Sequence, residues 1–275
     1  MIKLLVLDLD GTLLNPHHVI SPANQTALAQ LHQQGVQLAI ATGRHYQDVY
    51  LLTQQLNLPI TLITSNGARV HNPQQQLIYE NHIPAELVAQ VLALSAGFAV
   101  HRNIYQQDLW LVEQPNEPLL AIHHASGFAY RITDFAQISH RHIDKFYFNA
   151  SPDALAPLQA RLEQQLGDRL YITYTTDIYL EVMNQGVSKG AALQALLTRH
   201  GLSPKEVMAF GDGLNDVDML QLVGHPVMMA NAHAGLKQAC CHAAQAPSNA
   251  EDGVARYVHA SLLGNSVANP LANQG

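Results

Sequence analysis

Lys3-Leu4-Leu5-Val6-Leu7-Asp8-Leu9-Asp10-Gly11-Thr12 sets the organisation of the whole chain: an apolar run of strand length is cut off by two acids and a glycine. A run that is apolar at every position, with no polar alternation, fits a strand covered on both faces, as in a parallel sheet. Gly11 lets the backbone turn sharply after it. If strand alternation continues to Asp10, the Asp8 and Asp10 carboxylates project to one side. Next, Ser21-Pro22 reads as a helix N-cap with a first-turn proline, Leu28 and Leu31 share a helical face, and Gly35 terminates. Residues 36–41 predict a second strand, 46–56 a second helix and 60–64 a third strand. This alternation predicts βα units around a parallel sheet.

Between residues 84 and 186 the rhythm changes. A helix is followed by short strands at 99–104 and 109–112, a helix, strands at 129–132 and 145–149, a helix from Pro152, and two strands around 170–183. Strands in such close succession suggest an antiparallel sheet with helices on one side. From Ser188 the βα rhythm returns, with helices at 189–200 and 215–222 and strands at 207–210 and 226–229. The expectation is an α/β chain: a Rossmann-like, doubly wound parallel core from residues 1–83 and 188–275, with an α+β cap domain inserted at 84–187. After Leu263 apolar periodicity is lost, which predicts a loose tail.

Composition narrows the function. The 275 residues are 48% hydrophobic and carry a net charge of −7 with only 14 Lys and Arg, too few cations for nucleic acid or an anionic membrane to be the main partner. A small-molecule ligand fits better. Asp8 and Asp10 interrupt the first apolar run too early for a secretory segment, so a soluble cytoplasmic protein is expected. The cysteines, Cys240 and Cys241, are adjacent and form no disulfide framework; two reduced core thiols are expected. Sixteen histidines are scattered along the chain and read mostly as surface or partly buried groups.

The polar residues fall at the carboxyl ends of predicted strands: Asp8 and Asp10 after the first, Thr42 after the second, Asn66 after the third, Asp212 after Val207-Met208-Ala209-Phe210-Gly211. Ligands of open α/β sheets bind at that edge, so these positions converge on one site. Asp8, Asp10 and a third acid, Asp212, would repel one another unless a cation sat among them. Oxygen ligands beside an anionic substrate suit Mg2+. An aspartate can accept a phosphoryl group covalently, which makes Asp8 the candidate nucleophile and Asp10 the candidate acid and base. Lys189 opens a helix after Ser188, where N–H groups and the dipole favour anions; a lone first-turn lysine is usually solvated, and its weight comes from these carboxylates. Thr42 and the Gly43 N–H could hold phosphoryl oxygens, with Arg44 bracing the loop or adding a cation. Trp110 reads as a core residue before it reads as a platform for a substrate ring.

Asp8-Leu9-Asp10-Gly11-Thr12, Thr42 after a strand, Lys189, and Gly211-Asp212-Gly213-Leu214-Asn215-Asp216 resemble the four ordered motifs of the haloacid dehalogenase-like hydrolase superfamily. Thr42-Gly43-Arg44, Ser65-Asn66-Gly67-Ala68, Lys189-Gly190 and the inserted block resemble its Cof-type branch. The resemblance implies Asp8 as nucleophile and Mg2+ ligand, Asp10 as acid/base and ligand through its carbonyl, and Asp212 as the third protein ligand. It further implies that Asn215 and Asp216 position the metal's waters and Lys189, and that Asn66 and Gly67 flank the phosphate. Ile63 to His71, Ser126-Gly127-Phe128-Ala129-Tyr130 and Met208 to Asp212 are most similar to branch members that hydrolyse 4-amino-5-hydroxymethyl-2-methylpyrimidine pyrophosphate. A broad sugar-phosphate or pyridoxal-phosphate phosphatase is the alternative; a phosphomutase or a non-catalytic sensor is further off. The segment at Glu181 has Asn184 where relatives often have proline, and hinges are expected at 81–84 and 184–188.

Overall fold

The computed structural model describes residues 1–264; from residue 265 on, the expected tail lies outside them. In chain order the first elements are β1 (Leu4–Leu7), α1 (Pro22–Gln33), β2 (Gln37–Ala41), α2 (Tyr46–Thr53), β3 (Ile60–Thr64), β4 (Arg69–His71) and β5 (Leu77–Glu80). There follow α3 (Ala85–Ser95), β6 (His101–Gln106), β7 (Leu109–Val112), α4 (Glu117–Ala121), β8 (Arg131–Ile132), β9 (Ile143–Asn149), α5 (Pro152–Leu166), β10 (Leu170–Thr176) and β11 (Tyr179–Asn184). The last are α6 (Lys189–His200), β12 (Val207–Gly211), α7 (Val217–Leu222), β13 (His225–Met229), α8 (Ala234–Ala239), β14 (Ala244–Ala246) and α9 (Gly253–Val258).

Among the described residues the first sheet runs β14-β13-β12-β1-β2-β3-β4-β5. Its strands are parallel from β14 to β3, with Leu4 opposite both Val207 and Gln37. The uninterrupted apolar sequence of β1 has its expected cause. Leu5 and Leu7 pack on one face with Leu28, Val49 and Val254 from α1, α2 and α9, while Leu4 and Val6 pack on the other with Leu193, Leu220 and Leu236 from α6, α7 and α8. Helices therefore cover both faces, and the sheet is doubly wound.

The β4-β5 hairpin is absent from the sequence reading. Both strands are short, and Arg69, His71 and Glu80 hide the period; the turn is closed by Asn72, whose Oδ1 accepts the N–H groups of Gln74 and Gln76. The segment 84–186 holds the second sheet, β10-β11-β9-β6-β7-β8, antiparallel apart from β7 with β8. Leu155, Leu158, Leu162 and Leu166 form the buried stripe of α5 at helical spacing, packed with α3 and one sheet face. On the other face, Trp110 is 1% exposed and donates Nε1–H to Asn103 at 3.0 Å, so it is a core residue and not a substrate platform. Cys240 is buried but Cys241 is exposed, so one of the two thiols expected in the core lies outside it. No helix among the described residues is long and apolar enough to cross a membrane.

After β3 the chain passes through three left-handed positions, Ser65 (φ 51°), Asn66 (φ 57°) and Gly67 (φ 101°). A Cβ on Gly67 would lie 2.2 Å from the Ser188 carbonyl oxygen. Gly67→Ala is expected to destabilise the protein by about 2 kcal/mol or more, seen as a melting point lower by roughly 5 °C. Gly97→Ala, with nothing within 4 Å of its added Cβ, should stay within about 0.5 kcal/mol of wild type. Equal melting of the two variants would contradict this account of the turn.

Candidate active site

The parallel strands β12, β1, β2 and β3 are neighbours, and Asp212, Asp8, Thr42 and the Asn66 turn follow their carboxyl ends in that order. β1 ends at Leu7, and residues Leu9–Leu13 coil through a kink, with Asp10 extended at ψ 125° and Gly11 at φ 78°. The expected alternation to Asp10 therefore fails. Asp8 is buried, whereas the Asp10 side chain is 44% exposed and faces a different set of partners.

Lys189 ties the buried carboxylates together. It stands in the first turn of α6, behind the Ser188 N-cap, and its side chain has no exposure. Its Nζ donates to Asp8 Oδ1 and Asp216 Oδ1, each at 2.6 Å. Burial disfavours its charge, but Asp216 and Asp8 outweigh that and hold it above the ordinary lysine value. Asp216 Oδ2 accepts the N–H groups of Asp212 and Gly213, each at 2.9 Å, so both of its oxygens are engaged in holding Lys189 and the loop after β12.

Asp8, Asp212 and Asp216 place carboxylate oxygens within 4.8 Å of one another. Burial drives Asp8 well above the usual carboxylate range, Asp216 and Asp212 add to this, and Lys189 opposes it. Burial, then Asp216, pushes Asp212 up to about 6 against its hydrogen bonds to Asp8 and Thr12. Thr12 engages Asp212 Oδ1 and Lys189 engages Asp8 Oδ1, so Asp212 Oδ2 remains for a cation. Hard oxygen donors with excess negative charge fit Mg2+. The Asp10 carboxylate is outside this cluster.

Arg44 holds Asp10 with a two-pronged contact, Nε to Oδ2 at 2.7 Å and Nη2 to Oδ1 at 2.6 Å, and extends Nη1 to Asp48 at 3.1 Å. Asp48, fully buried on α2, also accepts from the Ser126 hydroxyl and lies 2.9 Å from His123 Nδ1. Burial alone would raise Asp48, but His123, Arg44 and Ser126 bring it below the ordinary value. Thr42 is buried, and its hydroxyl oxygen accepts the Arg44 N–H at 3.2 Å. The Gly43 carbonyl accepts from Lys145 Nζ at 3.0 Å, and Lys145 also donates to Glu181 at 2.5 Å. Asn66 donates to Glu181 Oε2 at 2.6 Å and accepts from Asn215 at 3.1 Å. Asn215 thus bonds Asn66, not Lys189; Asp216 alone of that pair touches the lysine. Gly67 packs its backbone against Ser188.

Lys145, Asp48 and His123 were not singled out from the sequence. A usable signal existed for Lys145: Asp144-Lys145 sits inside an otherwise apolar strand, and both side chains are buried. Asp48 lies four residues beyond Arg44, the spacing of an ion pair at a helix start. His45, His71 and His123 are buried, while the other histidines are exposed or partly buried, as expected for most of them. Burial, then Arg69, lowers His45 to about 3.

The raised Asp212 gives a pH test. Between its ordinary value of 3.8 and about 6 the folded chain keeps a proton that the unfolded chain has released. This contribution to stability is complete below 3.8 and is lost as pH rises through about 6. In metal-free protein, Asp212→Asn should gain stability relative to wild type across that window in denaturant titrations. A difference between the two that does not change with pH would contradict the shift.

The family model for haloacid dehalogenase-like hydrolases matches residues 5–258. An HMP-PP phosphatase of Cronobacter sakazakii is 38% identical over 232 residues, 84% of this chain and 85% of that protein. An HMP-PP phosphatase of Yersinia pestis is 36% identical, covering 94% of this chain and 95% of its own length. The crystal structure of a haloacid dehalogenase-like hydrolase from Bacteroides thetaiotaomicron superposes with a TM-score of 0.86 at 29% identity, over 94% of this chain and 98% of that one. With its motifs in order, its doubly wound sheet and this coverage, the chain belongs to the haloacid dehalogenase-like hydrolases.

Proposed function

We propose that the chain is a Mg2+-dependent phosphatase that transfers a phosphoryl group first to Asp8 and then to water, with 4-amino-5-hydroxymethyl-2-methylpyrimidine pyrophosphate as substrate. The observation that carries the chemistry is the buried Lys189 ammonium, 2.6 Å from Asp8 Oδ1, which fixes the orientation of the Asp8 carboxylate. An Asp8 carboxylate oxygen attacks phosphorus, the bond to the leaving oxygen breaks, and Asp10 supplies that oxygen's proton. Water then attacks the phosphoaspartate with Asp10 taking its proton, and the bond to Asp8 breaks to release phosphate. To reach the leaving oxygen, Asp10 must exchange its bonds to Arg44. Mg2+ held by Asp8, Asp212 and the Asp10 carbonyl would offset charge on the phosphoryl oxygens. Thr42, the Gly43 backbone, Asn66 and Gly67 would bound the phosphate, and Lys189 would balance charge as Asp8 changes from carboxylate to acyl phosphate.

In this reading residues 1–83 and 188–275 are the hydrolase core, and 84–187 form a cap that chooses the leaving group. Lys145 and Glu181 support that division, because they reach from the second sheet to Gly43 and Asn66. Asn184 and Asn81, paired at 2.6 Å, join the two connections, which would serve as the hinges. The pyrimidine substrate rests on the names of the relatives. A sugar phosphate or pyridoxal phosphate is the alternative class, and a cytoplasmic setting is proposed with it.

Asp8→Asn should keep the fold and lose on the order of 10^4-fold or more in turnover; near-normal phosphate release would exclude Asp8 as acceptor. EDTA should abolish activity and Mg2+ restore it. In a screen of phosphorylated metabolites the pyrimidine pyrophosphate should give the highest kcat/KM, and a sugar phosphate or pyridoxal phosphate ranking above it would overturn the substrate assignment while leaving the chemistry standing.

A further inference from the structure

We propose that Glu80, His82 and His142 form a binding site for a transition-metal dication, Zn2+ being the best fit, at the seam between the two sheets and away from Asp8. Glu80 ends β5, His82 lies in the connection to α3, and His142 immediately precedes β9. The seam is closed there by the Ile83 N–H donating to the Ile143 carbonyl at 2.9 Å. One donor atom from each residue lies within 4.8 Å of the others. His82 Nε2 is 3.0 Å from Glu80 Oε2, and the His82 and His142 rings stand edge-on with centroids 5.2 Å apart. Donors around tetrahedral Zn2+ at ~2.0–2.1 Å are roughly 3.4 Å apart, so Glu80 and His142, both exposed, need only a small rotation. Two imidazoles and one carboxylate favour Zn2+ over Mg2+. The adjoining cavity of about 460 Å3 leaves room for a water ligand. Arg69 also lines it, but its guanidinium is engaged by Asp108 and the Gln107 carbonyl.

A separate observation points to a ligand on His82. Asp144 is fully buried behind it. Its Oδ1 lies 2.9 Å from His82 Nδ1, an ion-pair distance, yet the two atoms miss hydrogen-bond geometry and have no other hydrogen-bond partner. Buried polar atoms in that state are rare and call for a cause. A metal on Nε2 fixes the proton on Nδ1, and a small turn of the ring then aims that N–H at Asp144, the carboxylate–histidine–metal relay. The competing account is an imidazolium held between Glu80 and Asp144 with no metal. A metal here would fasten the 81–83 connection to β9.

Calorimetric titration of the full chain with Zn2+ in excess Mg2+ decides between them. The wild type should take up about one equivalent, and Glu80→Gln and His142→Ala should each weaken it at least about tenfold. Both altered side chains are exposed, so folding should survive, as a melting curve would verify. With Co2+ in place of Zn2+, the visible absorption of a four-coordinate site should appear in wild type and vanish in His142→Ala. No uptake by wild type, or uptake unchanged in both variants, overturns the site. Uptake that survives in both but disappears in Asp212→Asn assigns the ion to the Asp8 cluster and equally overturns it.

Discussion

Lys189 carries its ammonium fully into the interior, and the two carboxylates 2.6 Å from it come from opposite directions in the chain: Asp8 after β1 and Asp216 in the loop after β12. A buried charge left without its partner costs roughly 3–5 kcal/mol. α6, β1 and the loop after β12 are therefore held in one arrangement, because separating any of them strands a charge. Asp216 passes the constraint on by gripping the N–H groups of Asp212 and Gly213. The resulting crowding of negative charge around Asp8 and Asp212 is what a divalent cation would relieve.

Two polar bridges link this centre to the second sheet. One runs from Asp10 through Arg44 and Asp48 to His123 and Ser126. The other runs from Gly43 through Lys145 and Glu181 to Asn66 and Asn215. Both start on loops at the carboxyl edge of the parallel sheet, and one of them crosses the left-handed turn at Ser65 and Asn66. Strain of that kind persists where surrounding contacts over-determine it. In the proposed enzyme these bridges would let the segment carrying the leaving-group contacts sense the same loops that bound the phosphate.

Much of the fold was legible because burial on both sides writes itself into sequence: β1 and β12 are apolar throughout, β2 and β3 mostly so, and α5 repeats leucine at helical spacing. Their carboxyl ends gave the convergence of Asp8, Thr42, Asn66 and Asp212. The β4-β5 hairpin was hidden because its short strands carry buried Arg69 and His71, whose polarity reads as loop. Side-chain directions were less legible. Strand alternation failed at Asp10 because β1 ends three residues earlier, at Leu7, and the chain coils at Gly11. Asn215 turned to Asn66, a residue 149 positions away in the chain. Lys145, Asp48 and His123 depend on meetings between the two sheets, which local periodicity does not encode.

The central claim is that phosphorus is attacked twice, first by Asp8 and then by water. The stereochemical course at phosphorus tests it most directly. A substrate whose transferred thiophosphoryl group is made chiral with oxygen isotopes would be hydrolysed in isotopically labelled water, and the configuration of the released thiophosphate determined. Two in-line displacements predict overall retention. Inversion would mean a single direct attack by water and would contradict the role assigned to Asp8.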